Sequence, residues 1–415
     1  MKPQASPPGV DARRAALRLL DAVLRRGLPL EAALGGAAGD LAKPEDRGLA
    51  HAIAAETLRR LPDLDALIDS ATQQRLPPDA KARFALRIAL VQALALGTPP
   101  HAAISTVLPL VDGGPRRLVH GVFGALMRRK VTLPASPSLP RGVAERWLTA
   151  WDRDMVDAAR SALAAPPPLD LSFADADAAQ AFAGEHLADR HARIFTQSRV
   201  AELPGFAEGQ WWVQDLAASI PARLLGPGDG RAVLDLCAAP GGKTLQLASA
   251  GWRVTAVDSS ANRLERLREN LQRTRLSAEV IEADVMQWEP SAPVDAILLD
   301  APCSATGIFR RHPDVLYRVR PKVIAEMAEL QRAMLARASG WLKPGGTLVF
   351  STCSLEPDEG ELHLDHAPEL TLDPVASDEL PEGIAPHPSG YVRTLPTMLA
   401  DKGALDGFFI ARFKR

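Results

Sequence analysis

Between residues 12 and 129 the apolar positions recur at spacings of three and four, so that Ala16, Leu19, Leu20, Val23 and Leu24 fall on one helical face. Gly27 follows the last of them, where a helix commonly stops on a left-handed residue. Phe84, Ile88, Val91, Leu94 and Ala95 make a second stripe, ended by Gly97 ahead of Pro99 and Pro100, and residues 119–126 make a third, short helix. The front of the chain is therefore expected to be all-α. Periodicity is lost at 131–140, a proline- and serine-rich stretch that reads as a linker, and Pro166, Pro167 and Pro168 make a second break. Between these breaks and Gly209 the signals are weak: a short helix around 144–148 and a small α/β unit after Leu169. Past Gly209 short apolar runs alternate with helical segments, the pattern of a mostly parallel sheet flanked by helices. Strands are predicted at 232–236, 254–257, 279–281, 296–299, 347–350 and 408–413. The expected organisation is multidomain: an all-α domain over 1–132, a linker and small α/β subdomain over 133–208, and an α/β domain over 209–415.

Composition narrows the class. No run of about 18 uninterrupted apolar residues occurs, so a helical membrane span is not expected. Prolines stand in the first eleven residues where a secretory signal needs an apolar core, which makes the cytoplasm the expected compartment. The net charge is −2, so any polyanion has to be met by a local basic face rather than by the overall charge. Cys237, Cys303 and Cys353 are far apart and lack CxxC or Cys/His ligand spacing, against both a disulfide framework and a metal site.

Residues 233–244 read as a strand running into a turn of small residues and then a helix, with Cys237, Ala238, Ala239, Pro240, Gly241, Gly242 and Lys243 forming the turn. Such a turn lets a ligand approach the backbone, and the following helix N-terminus offers unpaired N–H groups to a carboxylate. A Walker loop requires glycine five positions before Gly242, where this chain has Cys237, and a GxGxxG fingerprint is absent as well. Asp258 closes the next strand at about the distance from which an acid accepts ribose hydroxyls. Together these features point to an adenosyl ligand without a polyphosphate. Asp284, after the third strand, reads equally as a helix cap.

Asp300 and Cys303 end the fourth strand, and Cys353 ends a later one. Carbon 5 of cytosine is too electron-poor to accept a methyl group directly, but a thiolate adding to carbon 6 makes carbon 5 nucleophilic. Release then requires removal of the carbon 5 proton and expulsion of the first thiol, work for a second positioned group. Asp300 stands where it would hydrogen-bond the base or the cofactor. A single cysteine is more often a small buried hydrophobe, whereas two at strand ends facing one cofactor loop favour chemistry.

With these motifs in place, residues 209–415 resemble the RNA 5-methylcytosine methyltransferases of the Sun type, which carry the Cys-Ala-Ala-Pro-Gly-Gly-Lys-Thr, Asp-Ala-Pro-Cys and Ser-Thr-Cys-Ser motifs found here unaltered. The resemblance implies a Rossmann-like domain that uses S-adenosylmethionine, leaves S-adenosylhomocysteine and needs no metal. It implies Cys353 as nucleophile and Cys303 as the group that assists release. It also places Cys237 to Lys243, Asp258, Arg263, Asp284 and Asp300 at the cofactor, and marks Val213-Gln214-Asp215 and Asp406-Gly407-Phe408-Phe409 as flanking motifs. Residues 13–130, with Asp46-Arg47, His101-Ala102-Ala103 and Val119-His120-Gly121-Val122, are similar to the antitermination factor NusB. That pairing is identified with the bacterial Sun/RsmB family, and implies a cytoplasmic monomer acting on 16S ribosomal RNA rather than DNA or a membrane. The chain departs from the family pattern at Glu356-Pro357-Asp358-Glu359-Gly360, where relatives often carry asparagine, and at His120.

Arg310, Arg311 and His312, with Arg318, Arg320 and Lys322, follow closely on Cys303 and are expected to meet RNA phosphates beside the crevice. Arg116, Arg117, Arg128, Arg129 and Lys130 make a second basic cluster. Two other classes stay open at this point. A methyltransferase for small molecules or proteins needs no paired cysteines, and a noncatalytic RNA-binding factor needs no intact cofactor loop.

Overall fold

Gly9, at φ 81°, turns the chain into helix α1 (Val10–Leu24), and Gly27, at φ 69°, turns it out again. In this computed structural model, which describes residues 9–196, 198–366 and 369–415, the stripe Ala16, Leu19, Leu20 and Val23 is fully buried. Most of the proline-bearing leader, residues 1–8, lies outside the described residues. Helices α2 (Leu30–Ala38), α3 (Pro44–Arg59), α4 (Leu61–Asp69), α5 (Lys81–Leu94), α6 (Pro100–Val107) and α7 (Gly113–Arg128) follow. One differs in kind from its prediction: α5 is buried on every side from Ala82 to Gln92, so it is the axis of its core rather than an amphipathic cover. Two arginines go inside with it. Arg87 donates through Nε and Nη2 to both oxygens of Asp65, each at 2.8 Å, and Arg83 meets the same carboxylate at 3.0 Å. Paired charges of this kind tolerate burial that a lone guanidinium would not.

The chain divides into two compact units. The first comprises Met1–Ala165 and Phe309–Arg320. It extends beyond α7, through the irregular residues 131–140, to α8 (Arg141–Ala150) and α9 (Arg153–Leu163). Helix α9 starts on Asp152, whose side chain accepts the Met155 N–H at 2.7 Å. Phe309–Arg320 completes this unit from far along the sequence. The Phe309 ring packs on Trp147 with centroids 5.3 Å apart, the Tyr317 hydroxyl donates to the Leu58 carbonyl at 2.7 Å, and Asp314 accepts the Leu30 N–H at 3.3 Å.

The second unit, Pro166–Ile308 and Pro321–Arg415, holds two sheets. The small antiparallel sheet contains β1 (Leu169–Phe173), β2 (Glu185–Ala188), β3 (His191–Ile194) and β4 (Trp211–Val213) in the order β2-β3-β1-β4, with α10 (Ala176–Ala181) after β1. Its last strand lies beyond Gly209, so this sheet shares one unit with Cys237, Cys303 and Cys353. Asp170 is buried in β1 and takes both ends of the Arg193 guanidinium, at 2.6 and 2.7 Å, together with the Leu216 N–H at 3.0 Å. Arg193 in turn donates to the carbonyls of Lys402 and Ala404, both at 2.9 Å.

The larger sheet is built from β5 (Ala232–Leu236), β6 (Arg253–Asp258), β7 (Glu279–Glu282), β8 (Val294–Asp300), β9 (Leu342–Thr352), β10 (Thr371–Leu372), β11 (Val392–Thr394) and β12 (Phe408–Lys414). The order is β10-β12-β9-β8-β5-β6-β7, with β11 on β12. Around it lie α11 (Leu216–Arg223), α12 (Gly242–Ser249), α13 (Ala261–Thr274) and α14 (Pro321–Ser339). All six predicted strands are present. The two that the periodicity missed, β10 and β11, are too short to carry a pattern. Strands β9, β8, β5, β6 and β7 run parallel, and the winding reverses between β5 and β8, which opens a crevice at their carboxyl ends. Among the described residues no helix is long and apolar enough to cross a membrane.

Candidate active site

At the end of β5 the chain turns through Cys237, at φ 61°, and Gly241, at φ 108°, into α12. A side chain at Gly241 would put Cβ 2.9 Å from Leu267 Cγ, so the left-handed turn and the packing both call for glycine. Asp258 fastens this loop: it accepts the Ala239 N–H at 3.1 Å and the Ser260 N–H at 2.9 Å, while Arg263 pairs with it at 3.5 Å and donates to the Ala239 carbonyl. Inside the turn is a cavity of about 200 Å³ lined by Cys237 to Pro240, Gly242 and Lys243, and closed by Gln214 and Asp300. Asp258 does not line it; Asp235 does. The Asp235 side chain accepts Thr244 Oγ1 at 2.5 Å, its other oxygen has no hydrogen-bond partner, and burial pushes its pKa up to about 7. This carboxyl escaped the reading of the sequence, although an acid inside the apolar run Val233-Leu234-Asp235-Leu236 was a signal. Asp284 is exposed at the end of β7, where it accepts the Met286 N–H at 2.9 Å and the Gln287 side chain at 3.2 Å. The carboxylate thus closes a tight turn rather than capping a helix, away from the cavity lining.

Strands β8 and β9 are parallel neighbours with Asp300 opposite Ser351, so the residues just beyond their ends emerge side by side. Cys303 Sγ and Cys353 Sγ lie 3.4 Å apart there, and neither forms a disulfide. Asp300 ties the pair to the Cys237–Lys243 loop, accepting Lys243 Nζ at 2.7 Å and Ser351 Oγ at 2.9 Å. Contact with Cys353, followed by burial, pushes the Cys303 thiol up, and burial pushes Cys237 up. Both are thus held as neutral thiols at neutral pH. Among the described residues no cluster of three or more His, Cys, Asp or Glu side chains is arranged to hold a metal ion.

A ribosomal RNA small subunit methyltransferase B from Xanthomonas campestris pv. campestris is 35% identical over 399 residues, covering 90% of this chain and 91% of its own. The chain belongs to the ribosomal RNA small subunit methyltransferase B family. The Vibrio cholerae member is 34% identical, with 97% of each chain covered. The model of the 16S rRNA methyltransferase RsmB/F family matches residues 222–414, and that of the NusB family matches residues 10–124. A crystal structure of a methyltransferase homolog protein from Pyrococcus horikoshii is 25% identical with a TM-score of 0.55, covering 70% of this chain and 98% of its own.

As a member of the methyltransferase B family the chain is a methyltransferase, and the basic residues expected to meet RNA after Cys303 divide by burial. Phe309–Arg320 belongs to the helical unit, and Arg310 is fully buried there, with Arg59 donating to its carbonyl at 2.7 Å. A buried guanidinium does not meet phosphates. Arg311 and His312 are half-buried, and Arg318 is engaged by Asp314 at 2.7 Å. The second cluster fares differently: Arg116, Arg117, Arg128, Arg129 and Lys130 are all exposed on α7 and just after it.

Proposed function

We propose that this chain transfers a methyl group from S-adenosylmethionine to carbon 5 of a cytosine in 16S ribosomal RNA, as a cytoplasmic monomer. The observation that carries the reading is the pair of thiols 3.4 Å apart at the ends of adjacent parallel strands, joined through Asp300 and Lys243 to the loop that lines the cavity. S-adenosylmethionine held in that cavity supplies an electrophilic methyl group. Cys353, as thiolate, adds to carbon 6 and raises the electron density at carbon 5, which then takes the methyl group. Cys303 is the group that receives the carbon 5 proton, after which the bond from Cys353 to carbon 6 breaks and the 5-methylcytosine leaves. Cys303, a neutral thiol at rest, first gives its own proton to water, and its thiolate then takes the carbon 5 proton, so methyl transfer releases one proton in all and Cys303 returns to the thiol. The target base has to be unstacked to reach two thiols set in a crevice. The exposed basic residues on α7 are of the kind that meets RNA phosphates.

Bisulfite sequencing of 16S RNA from a strain lacking this chain tests the reading directly. One cytosine should lose its protection and regain it when the purified protein and S-adenosylmethionine are added back. Methylation appearing on another atom, or on no ribosomal RNA, would overturn it. The cofactor side has its own test. Asp258→Ala removes the acceptor for the Ala239 N–H of the loop and for the Ser260 N–H, as well as any acceptor for the ribose, and should weaken S-adenosylmethionine binding by about 2 kcal/mol in calorimetry. Unchanged affinity would detach Asp258 from the cofactor.

A further inference from the structure

Beyond β8 and β9 the regular ladder ends, and what holds the two cysteine loops together is a set of side-chain hydrogen bonds. The centre of that set is Glu359, fully buried in a single turn, Pro357–Glu359. One carboxylate oxygen accepts the Ser304 N–H at 2.7 Å and Gln331 Nε2 at 3.3 Å. The other accepts Ser354 Oγ at 2.5 Å and Ser304 Oγ. Ser304 directly follows Cys303 and Ser354 directly follows Cys353, so one carboxylate grips the chain immediately after each thiol.

The preceding residues are tied as well. Gln331, on α14, donates to the Pro302 carbonyl at 2.8 Å, just before Cys303, and Thr352 Oγ1, just before Cys353, donates to the Glu359 carbonyl at 2.8 Å. The two loops also meet directly, the Gly307 N–H donating to the Cys353 carbonyl at 3.0 Å. Four donors around one carboxylate offset the cost of burying it, a cost that otherwise argues for an apolar residue at such a position.

We propose that Glu359 is a positioning residue that sets the separation of the two active-site thiols by clamping both of their loops from one buried carboxylate. The proposal rests on the reading that the cysteine pair performs the chemistry, and it adds a residue that touches neither base nor cofactor. Its negative charge acts in the same direction as the Cys353 contact and burial, keeping Cys303 a neutral thiol.

The test uses the full chain carrying Glu359→Gln, near in shape but with an amide N–H₂ facing serine hydroxyls, and compares two readouts. The first is the rate at which diamide joins Cys303 to Cys353; the two thiols give up two hydrogens, the diazene is reduced to its hydrazine, and mass spectrometry follows the bond. The second is steady-state methyl transfer. Glu359→Gln should slow the cross-link by about tenfold or more and lower kcat by roughly 10- to 100-fold, with KM for S-adenosylmethionine unchanged, because misplacement rather than lost binding is the fault. Glu359→Asp, one methylene short, should fall between.

If Glu359→Gln folds poorly, Ser304→Ala combined with Ser354→Ala removes the hydroxyl donors, leaves the carboxylate, and should give the same two changes. A cross-linking rate and kcat within about twofold of wild type in whichever variant folds would overturn the proposal. A wild-type chain that cross-links readily and methylates no cytosine would overturn the functional reading and leave the clamp standing.

Discussion

A Cys353→Ala variant is expected to lose methyl transfer by on the order of 10⁴-fold or more and to form no adduct with RNA. A Cys303→Ala variant is expected instead to accumulate an enzyme–RNA complex that survives denaturing electrophoresis. In the proposed mechanism the contrast comes from the step at which each thiol works. Without Cys353 nothing adds to carbon 6, so carbon 5 never becomes nucleophilic and no covalent bond forms. Without Cys303 addition and methyl transfer proceed, but the proton on carbon 5 has no acceptor at the 3.4 Å position and elimination stalls. With the two sulfurs 3.4 Å apart, experiment decides which of them takes which role. A trapped complex with Cys353→Ala in place of Cys303→Ala would reverse them, and full activity in both variants would remove the covalent mechanism.

The largest loss of stability is expected away from the chemistry, at Asp170. Replacing it with alanine strands the buried Arg193 guanidinium and leaves the Leu216 N–H unpaired, which should lower unfolding free energy in urea by about 3–5 kcal/mol. Burial pushes the Asp170 carboxyl up, but the hydrogen-bonded Arg193 guanidinium, with the His191 ring 3.6 Å away, outweighs it and holds the group well below the usual carboxylate range. Its folded-state pKa is therefore depressed. The stabilisation is present in full above the unfolded value of about 3.9 and is lost as the pH falls from there toward the folded one. Urea midpoints for wild type and Asp170→Asn should accordingly converge below about pH 4. A constant gap between them down to pH 2 would show that the pair contributes through packing alone.

The strands and the cofactor loop were legible because each is a local pattern: alternation and apolar runs for the sheet, small residues followed by a helix for the turn. That Cys303 and Cys353 meet followed from both standing at strand ends, since neighbouring parallel strands deliver their next residues to one edge. What local pattern does not carry is partnership over long separations. Glu359 looked like part of an acidic stretch, and only its contact with Ser304, 55 positions earlier, gives it a task. Arg310 looked like a surface cation because charge on a chain is usually solvated, and its burial depends on a docking that no periodicity records. Asp258 is the intermediate case, placed at the right strand end yet turned toward the loop's own backbone.

The excursion of Phe309–Arg320 into the helical unit also bears on how the chain is made. A ribosome releases Met1–Ala165 first, but at that moment Trp147 lacks the Phe309 ring and the Leu30 N–H lacks Asp314. Both partners emerge only after most of the parallel sheet has been synthesised, a delay on the order of ten seconds at ordinary elongation rates. The amino-terminal unit is thus begun first and finished late, its nascent core one segment short until β8, the strand that leads to Cys303, has been translated.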